Sequence, residues 1–179
     1  MSKCPAEAAG DICTYAQVRV LLMRGGRLVP LPPPPDISNR MPSPNSDTIQ
    51  RFVALGADRL PGHLGIEVVE IAPDRVTLLM PVTVRLLNPV GVVHGGAVVT
   101  LADTACGYAT ATTLPDGATS FTTIELKTNF LGSAKDGSLR CVATPVHLGR
   151  TTHVWDAEVV HVESGRRVAL FRCTNLIIR

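Results

Sequence analysis

The 179-residue chain is poor in aromatic residues, carries little net charge and has no paired cysteine motif. Aromatic residues make up 4% of the sequence, so its core must be packed mainly with valine, alanine and leucine. The formal net charge is only +2 and no basic cluster occurs, which argues against binding to nucleic acid or to a membrane surface. No apolar run reaches the length of a membrane span without an intervening Gly, Pro or Asp.

Further absences concern redox chemistry, metals and targeting. The five cysteines are widely spaced and odd in number, which argues against a disulfide framework or a zinc site. The five histidines do not have the spacing of metal ligands on a helix. The N-terminus lacks the basic and apolar segments of a secretory signal. We therefore expect a cytoplasmic protein with reduced thiols, no metal and no cofactor.

The first 45 residues differ from the remainder of the chain. They contain the runs Pro32-Pro-Pro-Pro35 and Met41-Pro-Ser-Pro44 and show little periodicity, which predicts a flexible Pro-rich extension over 1–45. A short strand over 16–23 fits the local pattern but has no evident partner, and Met41 is a candidate alternative start. A single domain is expected over 46–179, a length sufficient for a substantial core.

Hydrophobic periodicity predicts two helices and six strands in this domain. The first helix is expected at 49–60, capped by Ser46 and ended by Pro61, with Phe52, Leu55 and Leu60 on its packing face. The second helix is expected at 95–112. The strands are expected at 64–71, 75–82, 120–131, 138–148, 151–162 and 167–178, with short links that favour antiparallel pairing. The second helix is apolar nearly all round, so other elements must wrap it. A curved antiparallel sheet around this central helix meets that requirement and predicts an α+β fold.

The central helix carries one charged side chain. Asp103 is the only residue with a formal charge between Arg85 and Asp116. Burial of a carboxylate among apolar residues is costly unless the group is paired, hydrogen-bonded or needed for chemistry. Just before this helix, His94-Gly95-Gly96 forms a small helix entry whose free backbone N–H groups can face a ligand. Together these features indicate a candidate catalytic site.

These motifs resemble those of a known family. Asn88-x-x-Gly91-x-x-His94-Gly95-Gly96, followed by Leu101-Ala-Asp103-Thr-Ala, resembles the PaaI-like acyl-CoA thioesterases of the hotdog superfamily. The segments 122–130, 149–151 and 168–174 are similar to its later strand motifs, so the resemblance covers about 47–179. It implies the hotdog fold and the hydrolysis of an acyl-CoA to a free carboxylic acid and CoA.

The resemblance also implies a role for each matching residue. Asp103 would activate water or attack the carbonyl directly, and the backbone N–H of Gly95 would polarise that carbonyl. Asn88 would orient substrate or water, Thr123 would position the water, and His94 is either catalytic or fixes the loop. Further candidate substrate-binding residues are Gly96, Thr122, Gly149, Arg150, which suits a CoA phosphate, and Thr151.

Two of these groups are too far apart to act together within one chain. Gly95 and Asp103 are separated by about 12 Å along the helix axis by helical rise, so both cannot touch one carbonyl. The family resolves this by building each site from two subunits. The resemblance therefore implies a homodimer as the minimum active unit, with dimers that commonly pair into tetramers.

Two other functions remain open from the sequence. A non-catalytic acyl-CoA binding protein would use the same pocket. A hotdog hydratase or dehydratase would have a motif resembling Asp-x-Asn-Pro-x-His, and Asn88-Pro89 echoes it. However, Leu86 and Gly91 occupy the acid and histidine positions, which argues against this chemistry. The acyl group is not determined, although the low aromatic content favours an aliphatic chain.

Overall fold

The computed structural model describes residues 21–24, 27–30 and 46–179. The chain divides into two compact units, Met1–Arg40 and Met41–Arg179. In the first unit, strands β1 (Leu21–Arg24) and β2 (Arg27–Pro30) pair antiparallel. β2 is the partner that could not be identified for the strand expected over 16–23, of which residues 16–20 lie outside the described residues. The flexible extension over 1–45 stays a prediction.

Residues 46–179, the part of the second unit that the structure describes, contain three α-helices and six strands. Its helices are α1 (Ser46–Gly56), the short α2 (Leu60–His63) and the long α3 (Gly95–Thr112), with one 3-10 turn at Val84–Leu86. Its strands are β3 (Glu67–Ala72), β4 (Arg75–Pro81), β5 (Ser120–Phe130), β6 (Ser138–Leu148), β7 (Thr152–His161) and β8 (Arg167–Ile178). None of the helices in the described ranges is both long and apolar enough to cross a membrane.

The six strands form one antiparallel sheet in the order β3-β4-β6-β7-β8-β5, and α3 packs against five of them. The interface is the core of the unit, because Leu101, Ala105 and Ala109 of the helix are buried against Leu78 and Trp155 of the sheet. Small alanines let the helix approach the sheet closely, which suits a sequence with few aromatic residues. The predicted α+β architecture, one long central helix against an antiparallel sheet, is confirmed.

The start of the domain differs from the expectation. The first helix begins at Ser46 and ends at Gly56 rather than spanning 49–60, and Leu60–His63 forms a separate helical turn. Pro61 does not end a helix, since it lies in the first turn of α2, where its missing N–H costs nothing. Phe52 is buried as expected of the packing face, whereas the side chains of Leu55 and Leu60 are exposed.

Strand β5 is an edge of the sheet and contains a bulge. Its register against β8 shifts between Thr123 and Glu125, so the strict alternation expected for this strand is broken at Ile124. Thr123 and Leu126 therefore both lie opposite inward-facing residues of β8. Within the single chain Ile124, Leu126 and Phe130 remain largely exposed, at 56%, 44% and 54% of their surface.

Candidate active site

Asp103 lies in the middle of α3, at one end of an apolar cleft. The cleft has a volume of about 330 Å³. It is bounded by α1, α3 and β5 and lined by Phe52, Leu55, Asp103, Thr104, Gly107, Tyr108, Ala111, Phe121 and Thr123. Asp103 is half-buried, and it is the one carboxylate among these lining residues.

Burial raises the pKa of Asp103 above its ordinary value of 3.8, and a hydrogen bond donated by the neighbouring Thr123 hydroxyl would oppose part of this rise. A carboxylate with a raised pKa is a stronger base than a solvated one, because desolvation penalises its charged form. No cation pairs with Asp103 within the described residues. The group is therefore suited to take a proton from water.

The hydroxyl of Thr123 lies between Asp103 and a fully buried amide. Its Oγ1 is 2.9 Å from Oδ1 of Asn175 and 3.5 Å from Oδ1 of Asp103. Since a hydroxyl has one proton, the shorter contact takes it and Thr123 donates to Asn175. Asn175 in turn donates from Nδ2 to Oγ1 of Thr110 at 2.6 Å. A chain of polar side chains thus leads from Asp103 into the core.

Asn88 shapes the loop before α3. Its side-chain Oδ1 accepts hydrogen bonds from the backbone N–H groups of Val90 and Val92, at 3.1 and 3.2 Å. Its backbone N–H donates to the carbonyl of Val92, and Gly91 takes a positive φ of 82° to close the turn. This use of the Asn88 side chain as a backbone acceptor is typical of an Asx turn.

His94 caps the N-terminus of α3. Its Nδ1 accepts a hydrogen bond of 2.8 Å from the backbone N–H of Gly96. The N–H groups of Ala97 and Val98 donate to the carbonyl of His94. The N–H of Gly95 finds no acceptor within the described part of the chain. It therefore remains available at the positive end of the helix dipole.

Gly95 has no room for a side chain unless its neighbour moves. An added Cβ atom would lie 3.0 Å from Cζ of Phe130, whose ring covers the glycine. A cleft of about 300 Å³ opens beside this helix end and is lined by His94, Gly96, Arg85, Thr100 and apolar residues. Asp103 does not line this cleft, and Gly95 does not line the cleft of Asp103, so within one chain the free N–H and the carboxylate do not share a cleft.

With this geometry established, comparisons with known proteins decide the family. The model of the thioesterase superfamily matches residues 90–168. The 1,4-dihydroxy-2-naphthoyl-CoA hydrolase of Escherichia coli strain K12 is 33% identical over 131 residues, which are 73% of this chain and 95% of that protein. The chain belongs to the thioesterase superfamily.

Solved structures agree with this assignment. A crystal structure of a mutant of the Pseudomonas aeruginosa thioesterase PA1618 matches 78% of this chain and 96% of that one, with 28% identity and a TM-score of 0.69. The Escherichia coli PaaI protein from the phenylacetic acid degradation operon matches 76% of this chain and 97% of that one, with 27% identity and a TM-score of 0.66. The predicted PaaI-like hotdog fold and the prediction of a thioester hydrolase are confirmed.

The remaining predicted residues of this thioesterase lie elsewhere on the sheet. Thr122 is exposed and lies opposite the exposed Leu176, so it points to the face of β5 away from Asp103. Gly149, Arg150 and Thr151 form the turn between β6 and β7, where the carbonyl of Thr151 accepts from the N–H of Ile177. This turn does not line either cleft described above.

Gly96 and the β6–β7 turn lie near opposite ends of the six-stranded sheet. Phe130, which covers Gly95, pairs with Ala169, whereas Thr151 bonds to Ile177. These two positions of β8 are about 26 Å apart by the rise of a strand. Within one chain the structure therefore brings together Asp103 with Thr123 and, separately, Asn88 with the His94–Gly96 entry.

The buried polar side chains next to Thr123 were not predicted from the sequence. Four polar side chains are buried in the described ranges, and Asn175, Thr110 and His153 are three of them. Thr123, Asn175 and His153 are Cα partners on the adjacent strands β5, β8 and β7, so they share the inner face. A signal was present, because Asn175 and His153 fall on the inward-facing positions of strands whose other inward residues are apolar.

Proposed function

We propose that this thioesterase hydrolyses an acyl-CoA to a free carboxylic acid and CoA, with Asp103 as the group that activates water or attacks the carbonyl. The observation that supports this most strongly is the half-buried carboxylate at the end of an apolar cleft, with no cationic partner within the described residues. A purely structural acid in such a place would be paired, because an unpaired buried charge destabilises the fold.

The N–H of Gly95 is the proposed oxyanion donor. It has no acceptor within the described residues and lies at the positive end of α3, where a preorganised N–H stabilises a developing oxyanion without moving a proton. Water would lose a proton to Asp103 as its oxygen bonds to the thioester carbon. The tetrahedral intermediate would then expel the CoA thiolate, and the proton held by Asp103 would return to it.

The two groups act on one carbonyl only if two subunits share the site. β5 has a free edge in the sheet and exposes Ile124, Leu126 and Phe130, which favours pairing with a second copy. If the β5 edges of two copies pair antiparallel about a two-fold axis, the strands run in opposite directions. The Phe130 end of β5 in one copy then lies beside the Ser120 end of β5 in the other. The Gly95 N–H of one subunit, which lies at Phe130, then approaches the Asp103–Thr123 cleft of its partner. The dimer is the proposed active unit.

The same pairing gives a role to the β6–β7 turn. Gly149, Arg150 and Thr151 lie at the Ser120 end of the sheet, since Ser120 pairs with Ile178 and Thr151 bonds to Ile177. In the dimer, this end faces the helix entry of the other copy, at the mouth of the shared site. The exposed Arg150 is therefore proposed to meet a phosphate of CoA.

We also propose that the acyl group is aromatic. Although aromatic residues are few, three of them, Phe52, Tyr108 and Phe121, line the cleft beside Asp103. The rings of Phe52 and Tyr108 lie 4.5 Å apart and form one wall. Aromatic rings prefer such offset or tilted packing, so a flat acyl group would be favoured in this cleft. The naming of one relative as a 1,4-dihydroxy-2-naphthoyl-CoA hydrolase supports this choice.

The test is the release of free CoA thiol from a panel of aromatic and aliphatic acyl-CoAs. Asp103→Asn is expected to lower kcat by at least about 100-fold, as the loss of a general base predicts. Asp116→Asn, the same change at an exposed turn, is the matched control and is expected to keep full activity. If the chain binds acyl-CoA without releasing thiol, or if Asp103→Asn remains fully active, the proposal is wrong.

A single turnover in ¹⁸O-labelled water separates the two roles of Asp103. If the carboxylate activates water, the label enters only the released acid. If the carboxylate attacks the thioester and water opens the anhydride at the Asp103 carbon, the label enters the Asp103 side chain, which mass spectrometry of the active-site peptide would detect. An anhydride that water opens at the acyl carbon leaves the label in the acid, and trapping of the anhydride with hydroxylamine distinguishes this case from water activation.

A further inference from the structure

We propose that Asn175 is a positioning residue, which holds the hydroxyl proton of Thr123 away from Asp103 so that the Thr123 oxygen accepts a hydrogen bond from the attacking water. The inference concerns the site described under the proposed function and rests on it. It assigns a task to a side chain that no substrate can touch, because Asn175 is fully buried.

The hydroxyl of Thr123 has a single proton and two acceptors within reach. The distance from Oγ1 to Asn175 Oδ1 is 2.9 Å, a normal hydrogen bond, whereas the distance to Asp103 Oδ1 is 3.5 Å, at the outer limit. When the proton points to Asn175, the lone pairs of Thr123 point away from it. Asp103 and Thr123 both line the cleft, so these lone pairs face the space beside the carboxylate.

Contacts with α3 and β5 hold the Asn175 amide in this orientation. Its Nδ2 donates to Oγ1 of Thr110 at 2.6 Å, which directs Oδ1 towards Thr123. Asn175 and Thr123 are direct partners in the β5–β8 register, immediately before the bulge of β5. Helix and sheet therefore fix the amide from both sides, in a core where an unsatisfied polar atom would be costly.

The chemical consequence is a water with two acceptors. One O–H of the water donates to Asp103 and the other to Thr123, so a lone pair of the water is left for the thioester carbon. If Thr123 instead donated to Asp103, that bond would stabilise the carboxylate, weaken it as a base and remove the second acceptor. Asn175 prevents this arrangement.

Three other titratable groups, Tyr108, Cys106 and His153, lie near Asp103 or Asn175 in the structure. Tyr108 lines the same cleft, and burial raises the pKa of its phenol. Cys106 lies three residues further along α3, and its hydrogen bond to the Cys173 thiol together with burial raises its pKa. Burial lowers the pKa of His153, which lies beyond Asn175 on β7. Tyr108 and Cys106 are therefore neutral where Asp103 titrates, and the lowered pKa of His153 favours its neutral form.

The experiment is a ¹³C NMR titration of the Asp103 carboxyl, assigned by its loss in Asp103→Asn and run beside kcat and KM. In Asn175→Leu, Thr123 has no acceptor except Asp103, so we expect the pKa of Asp103 to fall by about one unit. We expect kcat to fall with it at unchanged KM. In Asn175→Asp, which keeps an acceptor at this position, the pKa of Asp103 should not fall.

Thr123→Val separates positioning from packing. This variant has no hydroxyl, so adding Asn175→Leu to it should shift the pKa of Asp103 no further. Thr123→Val alone should leave that pKa near its wild-type value, because its hydroxyl does not donate to Asp103 in the native arrangement. A rise of about one unit in Thr123→Val would overturn the proposal, as would an equal shift from Asn175→Leu with and without Thr123.

The NMR titration does not depend on turnover, so the two proposals fail separately. If Asp103 is not the catalytic acid, its pKa still responds to Asn175→Leu through Thr123, while hydrolysis does not depend on Asp103. If Asn175→Leu does not fold, Thr123→Val and Asn175→Asp still decide, since a rise of the pKa in the first or a fall in the second contradicts the proposal.

Discussion

The backbone N–H of Gly96 donates a hydrogen bond of 2.8 Å to Nδ1 of His94, while the N–H of Gly95 has no acceptor within the described residues. Two adjacent glycines are thereby given different tasks. Gly96 accommodates the cap, since an added Cβ would lie only 3.0 Å from the histidine ring. Gly95 keeps a free donor at the helix end. His94 must be unprotonated at Nδ1 to accept this bond, so the neutral ring has its proton on Nε2.

This arrangement predicts that His94 acts as a helix cap. His94→Ala should lower the stability by about 1 kcal/mol, as the loss of an N-cap does, and the melting temperature by about 3 °C. His94→Asn, which restores a side-chain acceptor, should keep most of the stability and of kcat. Thermal unfolding and thiol release measured on both variants check this. A stable but inactive His94→Asn would instead mean that the ring acts on the substrate.

The raised pKa of Asp103 predicts a stability that depends on pH with a defined sign. Burial raises the pKa of Asp103 in the folded chain above 3.8, its ordinary value in the unfolded chain. At a pH between the unfolded and the folded pKa, the folded chain therefore holds a proton that the unfolded chain has lost. The stability from this group is therefore complete below pH 3.8 and is lost as the pH rises through the folded pKa. Asp103→Asn should be more stable than the wild type at neutral pH, and melting curves should show that gain shrinking on acidification. The opposite trend would mean that the ionised group is favoured by the fold.

Gly107 is expected to lower the stability of α3 while leaving space for bulky acyl groups in the cleft. A glycine inside a helix costs about 1 kcal/mol relative to alanine, yet Gly107 lies in the middle of α3. An added Cβ would meet Phe121 at 3.6 Å, an ordinary contact, so alanine fits the fold. Since Gly107 lines the acyl cleft, Gly107→Ala should raise the melting temperature and lower kcat/KM for bulky acyl groups. Acetyl-CoA is the internal control, and an equal loss for it would contradict a role in acyl size.

The central helix and the later strands were predictable because their patterns are strong. α3 has the expected bounds, since a mainly apolar run with Asp103 as its single charge lies between the glycines at 95 and 96 and the Pro115 turn. β6 and β8 also have the expected bounds, because each follows a clear turn signal. In contrast, Leu55 of α1 was expected to be buried and is exposed, since helical spacing shows which residues share a face but not what covers it.

The candidate site was predictable only in part. A charge in an apolar helix and a glycine pair at its start identify Asp103 and Gly95 without a structure. The partner of Thr123 could not be inferred, because Asn175 lies 52 residues further along the chain and meets Thr123 only through the β5–β8 register. The bulge of β5 was also hidden, although it decides that Thr123 rather than Thr122 faces Asp103.

The most direct test of the shared site uses two inactive variants. Gly95→Pro removes the proposed N–H donor, adds a ring and suits the first position of a helix, so it should fold and be inactive. Gly95→Ala is its matched control, because it adds the same Cβ against Phe130 and keeps the donor, so it should retain activity. Asp103→Asn removes the acid.

The decisive measurement is thiol release by a heterodimer of Gly95→Pro and Asp103→Asn, purified through two different tags. In the proposed dimer each site takes its donor from one subunit and its acid from the other, so one of the two sites in this heterodimer would be intact. The account predicts about half of the wild-type kcat per dimer from two parents that are each inactive. A heterodimer as inactive as its parents would show that donor and acid belong to the same chain, and would contradict the account.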